Sequence, residues 1–338
     1  MPAITLRELA GYESATIETL LPLFQRVTVH NQRLQPLPDG EVLRGVIEPR
    51  TTSDRRTIVA FDESGTPMGY ALVTRNLLEN SSVAKLELHI APDRYGQGIG
   101  TALFDAAKDL ARKMTCDRLA GNFVVAPGEV AAFAEKRGGK LAFQEQRTVL
   151  DLRAIDLGRY REWAAPSAPQ AGRPGNADLK SVTWTNHTPD DLVQAHLVAR
   201  QAMNDEPTGD VIAVKKKNMT PTELRQLEDA RIAYGQRRHA VAALAPNGDM
   251  AGFTQVAVFA NSTSPLAPMG NTAIARGYRG RGLALRLKAE LALLMLEREP
   301  HIDLIDCFNN TRNQAMQHIN KLLGWEVVST TSVYAFRL

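Results

Sequence analysis

The chain has 338 residues, 44% of them apolar and 23% charged, with a formal net charge of +3. That length exceeds one ordinary hydrophobic core and suits two domains, and the composition is that of a globular protein. The slight charge and the 6% aromatic content argue against a nucleic-acid surface, and the longest apolar run, residues 291–296, is far short of a membrane span. The first residues show no basic-then-apolar leader, so a cytoplasmic location is expected.

In chain order, residues 4–9 read as a strand, 18–33 as a helix with Leu20, Leu21, Phe24 and Val27 apolar, and Gly40–Ile47 as a short second helix. Residues 56–61 and 69–74 are strands around a Glu63-Ser64-Gly65-Thr66-Pro67 turn. Residues 82–90 alternate, with Val83, Leu86, Leu88 and Ile90 apolar, and lead into a glycine-rich loop at Gly96, Gly98 and Gly100. A helix follows, with Leu103, Ala107, Leu110 and Met114 at intervals of four, three and four. Residues 118–125 form the next strand, 129–137 a helix stopped by Gly138-Gly139, and 143–152 a closing strand. The first domain is therefore expected at 1–153. Residues 154–180 are expected as a linker, because 164–177 are rich in proline, glycine and alanine without periodicity.

The second domain, 181–338, repeats the plan. A strand at 182–185 is followed by helices at 192–203 and 222–237, then by a hairpin of 240–244 and 252–259. Residues 269–275 form a strand entering a second glycine loop, Arg279-Gly280-Arg281-Gly282-Leu283-Ala284. A helix leaves it with Leu283, Leu287, Leu291 and Leu294 on one face and Arg286, Lys288, Glu290 and Glu297 between them. Strand 302–308, helix 313–323 and strand 327–337 finish the chain. Gly98 and Gly282 are 282 − 98 = 184 positions apart, and Gly138 and Gly324 are 324 − 138 = 186 apart. Two landmarks at nearly one offset indicate an internal duplication. The fold expected is a tandem of two α/β domains, each a mixed sheet with helices on both faces. Cys116 and Cys307 each follow a loop helix and are expected as buried free thiols. The seven histidines show no metal-ligand spacing, and no metal is expected.

A strand turning through glycines into a helix is a phosphate cradle, because bare backbone comes close and the first N–H groups of the helix point at the anion. Arg279 and Arg281 add positive charge. No Lys-Ser/Thr follows Gly282, which excludes a kinase-type P-loop. Gly280-x-Gly282-x-Ala284 is one residue short of the dinucleotide fingerprint. What the loop resembles is the acyl-CoA signature of GCN5-related N-acetyltransferases, Arg/Gln-x-x-Gly-x-Gly/Ala, matched by Arg279, Gly282 and Ala284. The first loop departs from it at Tyr95, with Arg94 one place early. The chain is similar in plan to the tandem members of that superfamily, among them actinobacterial two-domain enzymes.

The resemblance implies an N-acetyltransferase that takes acetyl-CoA as cofactor and a primary amine of a small molecule as substrate. It implies coenzyme-binding roles for Ile274, Ala275, Arg279, Gly280, Arg281, Gly282, Leu283, Ala284 and Asn313. In the first domain it implies them for Ile90, Tyr95, Gly96, Gln97, Gly98, Ile99 and Gly100. The second domain, with its motif intact, is expected to be the catalytic half. Glu87, on the strand entering the first loop, is a candidate base; it also reads as an ordinary exposed carboxylate. Glu206, with Asp205 and Asp210, lies in an acidic loop bordering the implied acceptor site; a solvated turn is its other reading. The tyrosine that serves as proton donor in many relatives falls on Asn320 and Ala134, which leaves Tyr334 as a substitute or as a packing residue. Asn271 and Thr272 could position a water but cannot take a proton at neutral pH. The alternatives that stay open are catalysis by the first domain through Glu87, and a non-catalytic acyl-CoA-binding module.

Overall fold

In the computed structural model of the chain, residues 4–9, 11–31, 34, 36–78, 81–124, 128–168, 174–205, 218–260 and 262–338 are described. They form, in order, β1 (Thr5–Glu8), α1 (Ser14–Asn31), α2 (Gly40–Ile47), β2 (Ser53–Phe61), β3 (Pro67–Asn76), β4 (Val83–Ile90), α3 (Ile99–Lys113), β5 (Arg118–Val124), α4 (Val130–Glu135) and β6 (Lys140–Asp151). Then come α5 (Leu157–Ala164), β7 (Lys180–Thr185), α6 (Val193–Arg200), α7 (Pro221–Ala233), β8 (Gln236–Leu244), β9 (Met250–Phe259), β10 (Leu266–Ile274), α8 (Leu283–Arg298), β11 (Leu304–Asn310), α9 (Gln314–Leu322) and β12 (Glu326–Arg337).

Two compact units result. The described residues of the first fall within Met1–Gln146 and Val328–Leu338, and its strands run in the order β1-β2-β3-β4-β5-β12. Residues 328–338, expected in the second domain, thus close the first sheet: Tyr334 faces Gly121 and Phe336 faces Leu119 in antiparallel register. The physical reason is edge pairing, since β5 gains a four-pair ladder and Tyr334 and Phe336 of β12 enter the core. One face of this sheet carries α3, with Leu86, Leu88, Leu103 and Phe104 buried against it. The other carries α1 and α2 through Leu20, Leu23, Val27, Leu43 and Ile47. The α2 helix begins where Asp39 caps Val42 N–H at 2.9 Å.

The second unit comprises residues within Arg147–Pro207 and Lys216–Val327, with strand order β6-β11-β10-β9-β8-β7, β6 entering from Arg147. Its sheet packs α8 and α5 on one face and α6 and α7 on the other. The helix expected at 222–237 stops at Ala233, because Gly235 takes a left-handed turn (φ 68°) and the chain enters β8 at Gln236. Its start is set by a capping box between Thr220 and Glu223. The stretch expected as a linker contains α5. Asp156 caps it at Arg159 N–H, and Tyr160, buried, donates its hydroxyl to the Leu323 carbonyl at 2.5 Å. Arg286 and Lys288, expected between the apolar positions of α8, are both buried, Arg286 against Asn176, Leu179 and Ser181 and Lys288 against Met316, Asn320 and Trp325. Cys116 and Cys307 are buried free thiols. Among the described residues, no helix is long and apolar enough to cross a membrane.

Candidate functional site

The two glycine loops have one geometry. Gly96 and Gly98 sit at φ 74° and 82°, and Gly280 and Gly282 at φ 76° and 74°, each pair following a single 3-10 turn. Side chains rarely adopt that backbone, which is why glycine recurs. A Cβ at Gly96 or Gly280 would meet nothing within 4 Å, and one at Gly282 would meet only Asn176 Nδ2 at 3.8 Å. Conformation, not crowding, therefore selects these residues, and the space over the backbone is open.

The strands beside the loops differ. β4 and β5 stay zipped in parallel register through seven pairs, from Val83↔Arg118 to His89↔Val124. β10 and β11 pair only at Leu266↔Leu304, Ala267↔Ile305 and Pro268↔Asp306, and then part. Beyond that point β10 carries an extra residue against β9, between Met269↔Val256 and Thr272↔Thr254, a bulge that bends the strand. The separation opens a cavity of about 660 Å³, within the range of small-molecule sites. β10 lines it from Met269 to Ile274, the loop and α8 at Gly280, Gly282, Leu283, Ala284 and Lys288, and β11 at Cys307, Phe308 and Asn309. Asn313, Met316, His318 and Ile319 complete the wall from α9 and its cap.

In the first unit the corresponding volume is filled. Phe104, Phe123, Phe133 and Phe336 pack ring to ring, with centroids 4.9 to 6.0 Å apart. Ile90 and Ile99 belong to the same core, and Gly100 packs on Phe133. Tyr95 is partly buried against that core, and Gln97 donates weakly back to Asp93 O at 3.4 Å. The first loop thus keeps its cradle, with phenylalanine rings packed beside the helix that leaves it.

Of the coenzyme-binding residues expected in the second unit, Ile274, Arg279, Gly280, Gly282, Leu283, Ala284 and Asn313 line the cavity. Arg279 donates to the Ile274 carbonyl at 3.1 Å, tying the loop to the strand end. Ala275 lies outside the lining, its N–H given to Ala251 O. Arg281 also turns away, donating to Gly175 O at 2.5 Å and pairing with Asp178. The loop is braced from behind: Asn176 donates to Arg281 O at 3.0 Å, and buried Arg286 holds Asn176 O, Leu179 O, Ser181 Oγ and Glu290. Nothing in the polar, proline-rich sequence around Asn176 announces that brace.

The proposed acid–base residues fare differently. Tyr334 lies on the β12 segment of the first unit, buried in its core beside Gly121, and is not part of the second unit's cavity. Glu87 pairs with Leu72 and Asn122 inside the first sheet, 2.8 Å from Lys85 Nζ. The Lys85 ammonium holds its carboxyl down to about 2, which removes the proton affinity a base needs near neutrality. Glu206 and Asp210 lie outside the described residues, and Asp205 ends a 3-10 turn following α6. Thr272 shares a hydroxyl hydrogen bond with Thr254 at 2.7 Å. The cavity lining holds no carboxylate among the described residues.

The residue overlooked in the sequence is Lys288. It is 3% exposed, with Nζ 2.5 Å from Asn320 Oδ1 and 4.4 Å from the Trp325 ring centroid. Burial lowers its pKa, opposed in part by the Cys307 thiol. The one sequence clue is its distance from Gly282, which equals that of Phe104 from Gly98.

Residues 25–138 match the profile of the Acetyltransferase (GNAT) family. Over the whole chain the fold is similar to that of a tandem GNAT protein from the clavulanic acid biosynthesis pathway, with a TM-score of 0.76, 22% identity, and 99% of this chain and 98% of that one covered. A GCN5-related N-acetyltransferase from Sphaerobacter thermophilus is also similar, with a TM-score of 0.71, 15% identity, and coverage of 99% and 95%. Among curated proteins none matches. Residues 25–138 thus carry a match to the GNAT family, and the chain as a whole has a fold similar to that of tandem GNAT proteins.

Proposed function

We propose that the second unit binds an acyl-coenzyme A, acetyl-CoA in the simplest case, and passes the acyl group to the primary amine of a small molecule. The observation that carries this reading is the parting of β10 from β11 directly beside an open left-handed glycine loop. Backbone N–H groups from Gly280 to Ala284 and the α8 dipole suit the coenzyme diphosphate. Ile274, Leu283, Met316 and Ile319 offer apolar walls to the pantetheine arm. The bound coenzyme supplies the activated acyl carbon, and the protein contributes position, exclusion of water and proton traffic.

Because the lining holds no carboxylate among the described residues, the amine enters neutral or loses its proton to a water held at Asn271. The first unit, its channel filled by rings, serves structurally. A small-molecule acceptor is favoured by the pathway of the tandem neighbour. Binding without turnover is the second reading, favoured by the same lack of a carboxylate. Calorimetry with acetyl-CoA, followed by thiol release over a panel of amines, tests both. One equivalent bound per chain with release on at least one amine is expected, and no binding would overturn the proposal.

A further inference from the structure

The floor of the cavity is a polar cluster built around one buried cation. Lys288 Nζ gives hydrogen bonds to Asn320 Oδ1 at 2.5 Å and to Met316 Sδ at 3.9 Å, and it lies over the Trp325 ring. Asn320 is itself held, its Nδ2 given to Asn309 Oδ1 at 2.8 Å and to Thr148 Oγ1 at 3.3 Å, which turns its oxygen toward Lys288. No carboxylate among the described residues pairs with the ammonium. A buried ammonium without a counter-ion is unfavourable, so its presence calls for a reason beyond packing. The fold does not require one, because the first unit places Phe104 at the equivalent position, 288 − 104 = 184, and buries it fully.

Resting on the coenzyme reading above, we propose that Lys288 is the catalytic residue that neutralises the leaving thiolate. As the amine nitrogen forms its bond to the acyl carbon, the carbon–sulfur bond breaks and the sulfur keeps the electron pair. Lys288 Nζ then gives that sulfur a proton, and the proton lost by the amine returns to the lysine through water. An ammonium weakened by burial is a better donor to a thiolate than an exposed one. The other titratable groups around this floor are few. β11 brings Cys307 and Asp306, the latter bound to Arg147 of β6 at 2.8 Å, and α9 brings His318. Within α8, Arg286 is committed to Glu290, and α5 brings Tyr160, committed to Leu323 O.

The test compares coenzyme A with desulfo-coenzyme A binding to the full chain, by calorimetry across the thiol titration, together with the ultraviolet thiolate band of the bound coenzyme. In the unsubstituted protein the bound thiol should titrate about one unit lower than free coenzyme, a preference of roughly tenfold for the thiolate. Affinity for coenzyme A should therefore rise with pH relative to the desulfo analogue. Lys288→Met should abolish that rise while leaving desulfo-coenzyme A affinity within about twofold, and Lys288→Arg should retain it. Identical pH profiles for Lys288→Met and the unsubstituted protein would overturn the proposal, as would mass-spectrometric detection of acylated Lys288, which would make it a nucleophile. The measurement on the unsubstituted protein stands alone if a variant fails to fold: an unshifted thiol overturns the inference. Failure of both ligands to bind overturns the coenzyme reading itself, whereas binding with an unshifted thiol overturns only the role of Lys288.

Discussion

Phe104 and Lys288 stand six residues beyond the second left-handed glycine of their respective loops, and both are buried. One meets the rings of Phe123, Phe133 and Phe336; the other meets Asn320, Met316 and Trp325 beneath a cavity. Two helices of one plan thus end in opposite chemistry. The ring cluster closes one copy, and the polar floor accompanies the opening of the other.

Gly282→Glu should weaken acetyl-CoA binding by at least about tenfold. A side chain at φ 74° is strained by roughly 1–2 kcal/mol, and the added carboxylate repels a diphosphate. Gly98→Glu should leave the bound equivalents per chain unchanged. Calorimetric titration of both variants checks the pair of outcomes.

Asn176→Ala should loosen the second loop without touching the ligand. Its side chain holds Arg281 O and Ser167 N–H and receives Arg286, so the loss should cost about 1–3 kcal/mol. A lower thermal midpoint with weaker acetyl-CoA affinity is expected, and unchanged values for both would refute the brace.

Glu87→Gln should change acyl transfer by less than about twofold. The carboxylate is engaged by Lys85 in a zipped sheet whose neighbouring core is closed by phenylalanines. Steady-state rates on the best amine settle this, and a fall of a hundredfold or more would return catalysis to the first unit.

Phe104→Ala should destabilise the chain by roughly 3–5 kcal/mol, because it empties a fully buried ring position at the centre of the aromatic cluster. Denaturant unfolding measures the loss. A change within about 1 kcal/mol would mean that the cluster is not close-packed.

Acid should weaken the second unit through Glu299. Burial alone would raise its pKa, but hydrogen bonds from Arg237 and His239 at 2.6 Å overrule it and bring the carboxyl to about 2. A folded-state value below the unfolded one means that the stabilisation is complete above about pH 4.5 and is lost as pH falls toward 2. That loss should amount to about 2 kcal/mol by pH 3, measured as thermal midpoints from pH 6 to pH 3. Glu299→Gln should be less stable near neutrality but flatter across the same range.

The sequence by itself determined the duplication, the two glycine loops and the strands and helices that flank them. These are local matters: left-handed turns demand glycine, and amphipathic spacing declares a helix face. It could not show that β12 closes the first sheet, because strand pairing depends on which edge is available in space. Nor could it show that Asn176, in a stretch that reads as linker, joins Arg286 of α8 to brace the loop, since neither residue carries a local signal. The difference between a filled cleft and an open one was also decided in three dimensions. It depends on how far two parallel strands stay paired and on which side chains, Phe104 or Lys288, meet between the layers.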